Sequence, residues 1–205
     1  MEIKRIIVDL DGVAADFESG FYQVWTRLYP GRFVIPPEQR TTFKLLDQYP
    51  EEHHPDMVAL YTAAGFIRNL PPMPGAVEAL RQIVEGGYTI RICTSPLTIY
   101  QNCVEEKYAW VEQYFGEDWV KRIIMTKDKT EVRADMLIDD RPQVEGDLPP
   151  VWEHIIFDQP YNQHVNKRRL NHDWSNWQEL FVPECSNWIQ AGSADGRGHA
   201  KDNSH

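Results

Sequence analysis

Short apolar runs that end in polar residues recur along the chain. They are residues 6–8 before Asp9, 90–93 before Thr94, 123–125 before Thr126, 136–138 before Asp139, and a fifth run at 154–157. Continuous apolar runs of this length are typical of strands in a parallel sheet, because such strands are buried on both faces. The carboxyl ends of parallel strands share one edge, so the polar residues that follow the first four runs are predicted to converge there.

Helical periodicity fills the intervals between these runs. One predicted helical face carries Ala76, Val77, Leu80, Ile83 and Val84 ahead of Gly86 and Gly87, and a second stripe is formed by Val104, Tyr108, Val111 and Phe115. Because strand and helix alternate, the sequence predicts a doubly wound α/β fold of Rossmann type, with a parallel sheet and right-handed crossovers.

Two stretches depart from this alternation. Residues 17–74 are rich in aromatic side chains, proline and charge, and we expect them to form a small, mainly helical cap inserted after the first strand. Pro71, Pro72 and Pro74 are predicted to make its stiff return hinge. The catalytic core then comprises residues 1–16 and 75–182, and residues 183–205 form a tail. We expect part of this tail to be disordered, because residues 191–205 have few large apolar side chains.

Composition and charge narrow the function classes. The 205 residues are 42% hydrophobic and 25% charged, which fits a globular chain that buries a sizeable core. No apolar run approaches a membrane span, and the N-terminus resembles no secretory signal. Three widely spaced cysteines predict neither disulfides nor a cysteine zinc site, so we expect a cytoplasmic protein. A net charge of -10 opposes binding to a nucleic acid polymer.

The first polar cluster, Asp9-Leu10-Asp11-Gly12, places two carboxylates two residues apart. Phosphoryl transfer through a covalent intermediate needs one carboxylate to attack and a second to transfer protons. Asp9 suits the first task and Asp11 the second, while Gly12 lets the backbone turn sharply. A solvated acidic turn or a calcium loop would have the same sequence.

The other clusters supply the remaining groups that bind a phosphate. Thr94 and Ser95 offer hydroxyl and backbone N–H groups to phosphate oxygens, although they would equally cap a helix. Lys129 can neutralise a transferring phosphoryl group, although surface lysines are commonplace. Asp139 and Asp140 present adjacent carboxylates, which are hard oxygen ligands for Mg²⁺.

The order of these clusters, DxDG then Thr-Ser then Lys then Asp-Asp, resembles that of the haloacid-dehalogenase-like (HAD) superfamily. Longer phrases resemble the mammalian cytosolic and mitochondrial 5'(3')-deoxyribonucleotidases, and the resemblance runs from about residue 4 to 180. The phrases are DGVAADFE (11–18), PGAVEA (74–79), EKYAWVE (106–112), DKT (128–130), LIDDRP (137–142), WEH (152–154) and NQH (162–164).

This resemblance implies a Mg²⁺-dependent enzyme that hydrolyses deoxyribonucleoside monophosphates, preferably with uracil or thymine bases, through a phosphoaspartate. The implied nucleophile is Asp9 and the acid/base is Asp11. The implied metal site consists of Asp9, Asp140, supporting Asp139 and the backbone carbonyl of Asp11, and phosphate contacts come from Thr94, Ser95 and Lys129. The implied substrate contacts are Phe17, Phe43, Lys127 and Arg141.

One departure from the relatives leaves base preference open, because Lys44 stands where the mitochondrial enzyme has tryptophan. The resemblance also implies that a homodimer can form, although no sequence feature demands one. A HAD-type phosphatase for another small phosphomonoester, such as a sugar phosphate, is the first alternative. A non-catalytic protein that binds nucleotide or phosphate, or a receiver-like signalling domain, is the second.

Overall fold

Six parallel strands form the central sheet in a computed structural model that describes residues 5–97 and 101–181. The strands are β1 (Arg5–Val8), β2 (Thr89–Thr94), β3 (Ile123–Met125), β4 (Met136–Asp139), β5 (Glu153–Phe157) and β6 (Arg169–Leu170). Their order is β3-β2-β1-β4-β5-β6, which is the strand order of the Rossmann fold. The predicted α/β class and the five predicted strands are confirmed. Strand β6 was not predicted, because it has only two residues and contains no apolar run.

The site lies where the strand order reverses, beside β1. Val8 pairs with Ile92 of β2 on one side and with Ile138 of β4 on the other, and β4 and β2 run one and two residues further, to Asp139 and Thr94. Beyond the carboxyl ends of strands at such a reversal, the crossovers diverge and leave a crevice. The topology therefore places the residues after β1, β2 and β4 around one crevice.

Two long helices cover one face of the sheet. They are α3 (Ala76–Glu85) and α4 (Cys103–Phe115), and α4 is followed by the short α5 (Glu117–Val120). Both cross over between neighbouring strands, and their apolar side chains share a buried core with alternate residues of β1, β2 and β4. Parallel strands present alternate side chains to opposite faces, so this core includes Ile6 and Val8 but not Ile7.

The buried face of α4 differs from the predicted stripe. Tyr108, which was assigned to the apolar stripe, is 36% exposed, whereas Trp110 is fully buried. Glu106 and Lys107 are also buried, because each makes polar contacts inside the protein. Hydropathy assigns such residues to the surface, so the pattern misplaced the helical face.

Irregular segments cover the opposite face of the sheet. The connection from β3 to β4 contains only a short 3-10 helix, Lys129–Glu131, and residues 140–152 between β4 and β5 contain no helix. Ile7, Cys93, Leu137 and Trp152 form the small apolar cluster on this face. The alternation of strand and helix predicted by the sequence therefore holds on one face only.

Residues 17–74 contain helices and no β-strand. The helices are α1 (Phe17–Leu28), α2 (His54–Tyr61) and 3-10 turns at Pro37–Gln39, Leu45–Gln48 and Glu51–His53. The entering and leaving segments lie side by side, because Asp16 N–H donates to Pro71 O and Met73 N–H donates to Ala14 O, each at 2.8 Å. We call residues 17–74 the cap; its boundaries remain a prediction.

The remaining described elements are 3-10 turns at Pro160–Asn162 and Trp177–Phe181. No helix among the described residues is long and apolar enough to cross a membrane. The tail predicted at residues 183–205 lies outside the described ranges, as does Cys185.

Candidate active site

The loop after β1 carries the first two candidate carboxylates. Asp9 follows β1 directly, and its backbone N–H donates to Ile138 O at 2.9 Å. Asp9 Oδ1 accepts a hydrogen bond from Leu10 N at 2.8 Å, which fixes the carboxylate at the strand end. Gly12 then turns the chain with a φ of +78°, a conformation that favours glycine. The side chain of Asp9 is 16% exposed and that of Asp11 28% exposed, which is not the environment of a solvated acidic turn.

Lys129 lies between two of the carboxylates. Its ammonium contacts Asp9 Oδ1 at 2.9 Å and Asp139 Oδ2 at 2.6 Å. Burial alone would lower the pKa of Lys129, but the charges of Asp139 and Asp9 outweigh burial and raise the pKa. Lys129 is therefore a permanent, nearly buried cation beside the candidate nucleophile. Lys129 is therefore not an ordinary surface lysine, which was the alternative reading of its sequence position.

Three carboxylates come close enough together to hold a metal ion. Asp9, Asp139 and Asp140 each place a carboxylate oxygen within 4.8 Å of the other two. Burial raises the pKa of Asp140 well above its usual value, and the charges of Asp139 and Asp9 raise it further. Burial also raises the pKa of Asp9 by more than Lys129 lowers it. The cluster is therefore short of positive charge, which a hard divalent cation with oxygen ligands would supply.

The three carboxylates differ in the bonds that already occupy them. Asp139 accepts from Lys129 through Oδ2 and from Arg141 N through Oδ1 at 2.9 Å, so both of its oxygens are engaged. Asp140 Oδ2 accepts from the Tyr161 hydroxyl. The arrangement suits Asp139 to a supporting position and leaves Asp140 Oδ1 available to a ligand. The side chain of Asp11 lies outside this cluster and instead contacts Lys107 at 2.5 Å.

Thr94 and Ser95 lie at the end of β2 beside the same crevice. The next helix in the described residues begins at Cys103 and its N-cap residue is Asn102, so Thr94 and Ser95 do not cap a helix there. Thr94 Oγ1 accepts from Lys107 Nζ at 2.7 Å. Both residues line the crevice and can therefore present hydroxyl or backbone N–H groups to an anion in it.

A cavity of about 580 Å³ opens above these groups, between the sheet edge and the cap. The four residues predicted to contact substrate, Phe17, Phe43, Lys127 and Arg141, all line this cavity. Other residues that were not predicted from the sequence line it as well. The lining residues include Asp9, Asp11, Phe17, Phe43, Lys44, Tyr61, Thr94, Ser95, Leu97, Lys127, Lys129, Asp140, Arg141 and Tyr161.

The aromatic wall of the cavity is held by ring contacts on both sides. Phe17 packs against Phe66 with ring centroids 5.6 Å apart. Phe43 meets Tyr161 edge to face at 5.9 Å, and the Arg141 guanidinium lies 5.0 Å from the centre of the Phe43 ring. These contacts fix flat apolar surfaces at the cavity wall, which can accept a planar ring by stacking.

Two polar residues of the site were not selected from the sequence. Tyr161 is almost fully buried and donates to Asp140, and Lys107 is fully buried and donates to Asp11. Lys107 had one local signal, because it lies three residues after Val104 and four before Val111, on the apolar side of α4. Tyr161 had none, since nothing near it in sequence relates it to Asp140.

Comparison with known proteins identifies relatives of the whole described region. Residues 2–185 match the family described as 5' nucleotidase, deoxy (pyrimidine), cytosolic type C protein. A relative from Bordetella pertussis (strain Tohama I) is 47% identical over 180 residues, which are 87% of this chain and 96% of that protein. The human 5'(3')-deoxyribonucleotidase, cytosolic type, is 44% identical over 188 residues, covering 86% of this chain and 92% of that protein.

Solved structures extend the likeness to the fold. The crystal structure of a HAD family hydrolase from Deinococcus radiodurans R1, with bound phosphate and sodium, matches with a TM-score of 0.52. It is 14% identical and the match covers 82% of this chain and 90% of that chain. At this identity the likeness concerns the fold alone.

Proposed function

We propose, because this chain belongs to the family of 5' nucleotidase, deoxy (pyrimidine), cytosolic type C proteins, that its substrates are deoxyribonucleoside monophosphates. The enzyme is a phosphoric monoester hydrolase that releases nucleoside and phosphate. The single observation that carries the proposal is the position of Asp9, fixed between Leu10 N and Lys129 at the floor of the cavity. A nucleophile held in this way needs no reorganisation before attack.

In the proposed mechanism, Asp9 attacks phosphorus and the bond from phosphorus to the nucleoside oxygen breaks. Asp11 gives its proton to the departing oxygen, which leaves a phosphoaspartate on Asp9. A water molecule then attacks phosphorus and returns a proton to Asp11, and the bond to Asp9 breaks. Throughout both steps Lys129 balances the negative charge of the phosphoryl group, and Thr94 and Ser95 hold its oxygens.

We also propose that the enzyme depends on Mg²⁺. The ion would be held by the side chains of Asp9 and Asp140 and by the backbone carbonyl of Asp11. Asp139 would support the site, since both of its carboxylate oxygens already accept hydrogen bonds. The fit is supported by the close approach of three carboxylates and by the raised pKa of Asp140. When bound, Mg²⁺ would supply positive charge beside the phosphate.

Replacing Gly12 with alanine tests how tightly this metal site is packed. A Cβ atom at Gly12 would lie 2.5 Å from Asp140 Oδ2, and φ is +78°. We expect Gly12→Ala to displace Asp140 and weaken Mg²⁺ binding at least about tenfold, the scale seen when an outer contact of a metal site is lost. Isothermal titration with Mg²⁺ and thermal unfolding measure the two effects.

Gly31→Ala is the matched control for backbone strain. Gly31 has a φ of +83°, and a Cβ atom there would meet nothing within 4 Å. Both variants should lose about 1–2 kcal/mol of unfolding free energy from the left-handed backbone. Only Gly12→Ala should lose affinity for Mg²⁺, and equal Mg²⁺ binding by the two variants would contradict the assignment of Asp140.

The upper part of the cavity is proposed to bind the base and sugar. Phe17 and Phe43 supply flat surfaces, and stacking of a base on an aromatic ring is worth about 1–3 kcal/mol in proteins that bind single-stranded nucleic acid. Lys127, Arg141 and Lys44 line the cavity and are exposed, so their N–H groups can meet the carbonyl oxygens of uracil or thymine. We expect dUMP and dTMP to be preferred substrates, in line with the pyrimidine nucleotidase family, with Lys44 modifying the preference.

The experiment that tests the function is phosphate release from a panel of substrates. The panel contains deoxyribo- and ribonucleoside 5'- and 3'-monophosphates and common sugar phosphates, each with Mg²⁺ or with EDTA. We expect the fastest release from dUMP or dTMP and its loss in EDTA. Faster release from a sugar phosphate would support the alternative phosphatase and remove the role of the aromatic wall. No release from any compound would favour a protein that only binds phosphate or nucleotide.

The location and the oligomeric state are inferred from the relatives. We propose a cytoplasmic location, which the match to a cytosolic type of deoxyribonucleotidase supports. A homodimer stays a prediction, and sedimentation equilibrium would test it.

A further inference from the structure

Five consecutive residues of the cap, 43–47, line the cavity, and a buried arginine lies behind them. We call residues 41–48 the cap loop. Its one regular element is the 3-10 turn Leu45–Gln48, so the backbone of the loop has few hydrogen bonds of its own to hold it in place. Arg40 directly precedes the loop, is 1% exposed and is not among the residues that line the cavity.

The guanidinium of Arg40 joins both ends of the cap loop to helix α1. Its Nη1 donates to the carboxylate of Glu18, in the first turn of α1. Its Nε donates to Gln48 Oε1 at 2.9 Å, and its Nη2 donates to the carbonyl oxygens of Thr42 and Phe43 at 3.0 and 3.5 Å. A guanidinium holds its donors in a rigid planar fork, so these contacts fix the loop and the helix relative to each other.

The side chain of Gln48 closes the cap loop on itself. Its Oε1 accepts from the backbone N–H groups of Thr41 and Thr42 at 2.9 and 3.0 Å, in addition to Arg40 Nε. Its Nε2 donates to Thr41 Oγ1 at 2.8 Å. The start and the end of the loop are therefore held together, and the residues between them face the cavity.

Stability alone does not account for a buried ion pair at this place. Arg40 and Glu18 are both buried, and apolar residues that replace such a pair often leave a protein equally stable. The hydrogen bonds of Arg40 instead specify a geometry. Its guanidinium also lies 5.8 Å from the centre of the Tyr161 ring, which packs edge to face on Phe43. The cap loop is therefore located against the core as well as against α1.

We infer that Arg40 is a positioning residue that holds residues 43–47 where the base and sugar bind, an inference that rests on the proposed function. Arg40 acts through the ring of Phe43 and its neighbours and touches no substrate. The phosphate is bound from the core, by Lys129 and the end of β2. A nucleotide therefore gains affinity from the position of the loop, whereas inorganic phosphate gains none.

Replacing Arg40 with methionine tests this role, because methionine keeps an apolar stem and removes every donor. KM for dUMP should rise about tenfold or more, the scale of a stacking contact in proteins that bind single-stranded nucleic acid, with kcat nearly unchanged. Calorimetry with Mg²⁺ should find inorganic phosphate bound with an affinity within about twofold of the wild type. Hydrogen exchange should accelerate in residues 41–48 and stay unchanged in β1 and β4.

Arg32→Met is the matched control within the cap. Arg32 is also paired with a carboxylate, that of Asp56, but the pair is exposed and neither residue lines the cavity. This variant should leave KM for dUMP, phosphate affinity and exchange in the cap loop at their wild-type values.

Two variants of Gln48 keep the test valid if Arg40→Met does not fold, because Gln48 is only half-buried. Gln48→Met removes the acceptor of Arg40 Nε and of two loop N–H groups, so it should raise KM for dUMP and accelerate exchange in residues 41–48. Gln48→Glu keeps an oxygen at this position and should stay near the wild type in both measurements. Equal losses in the two variants would contradict the assigned geometry.

The comparison of dUMP with inorganic phosphate decides between positioning and general damage. If Arg40→Met weakened both by the same factor, Arg40 would only support the fold, and the inference would be overturned. An unchanged KM for dUMP would overturn it as well. Wild-type enzyme that releases no phosphate from nucleotides would refute the proposed function instead. Hydrogen exchange then still decides on Arg40, because unchanged exchange in residues 41–48 would show that Arg40 does not hold the loop.

Discussion

Asp9→Asn is expected to lower phosphate release from dUMP by at least about 10⁴-fold, the scale of loss seen when a covalent nucleophile is removed. The amide cannot form a phosphoenzyme, so rapid acid quenching should find no phosphorylated protein. The fold should remain, because the amide oxygen can still accept from Leu10 N and from Lys129. Since burial raises the pKa of Asp9, a neutral side chain there also removes a poorly solvated charge.

Asp158→Asn is the control for this experiment. Asp158 follows β5 at the same edge of the sheet and pairs with Arg169 at 2.9 Å, and it lies outside the cavity wall formed by the described residues. Its variant should keep wild-type activity. Activity of Asp9→Asn near the wild-type level would refute the covalent mechanism, even if the substrate proposal survived. Inorganic phosphate binding, measured by calorimetry, would show that the site is intact.

Lys129→Met is expected to damage both catalysis and stability. The side chain is 7% exposed and contacts Asp9 and Asp139, so its removal leaves two buried carboxylates without their cation beside Asp140. Removing one partner of a buried ion pair costs about 3–5 kcal/mol of unfolding free energy. Loss of a charge that stabilises the transition state should lower kcat by about 10²–10³-fold. Urea unfolding in EDTA and steady-state kinetics in Mg²⁺ measure these losses.

Lys127→Met provides the comparison two residues away. Lys127 lines the same cavity but is exposed, and its Nζ contacts only the carbonyl of Pro96 among the described residues. Its loss should leave the unfolding free energy within about 0.5 kcal/mol of the wild type, as for most surface substitutions. If the two lysine variants unfolded at the same urea concentration, Lys129 would not compensate the buried carboxylates.

The carboxyl edge of the sheet was predictable from local sequence. Each apolar run such as 136–138 makes a buried strand, and each run is followed at once by the polar residue that it delivers. Strand direction and burial therefore bring Asp9, Thr94 and Asp139 to one edge. The local pattern suffices for this grouping, because the carboxyl ends of parallel strands share one edge of the sheet.

The face of α4 was not predictable in the same way. Glu106 and Lys107 are charged, so hydropathy did not select either of them for the core and selected Tyr108 instead. Their burial depends on backbone N–H groups of the cap segment and on Asp11, which lies 96 residues from Lys107. The partners that satisfy a buried charge exist only after the chain has folded.

Local sequence patterns were enough to predict the α/β sheet, the position of the candidate nucleophile and the positions of the candidate metal carboxylates. These follow from local patterns, in which an apolar strand and the polar residue after it are neighbours in the chain. Three features became visible only in the folded chain: Tyr161 donates to Asp140, Lys107 donates to one oxygen of Asp11, and irregular segments cover one face of the sheet. The physical reason is that each depends on a contact between distant segments, which no local pattern encodes.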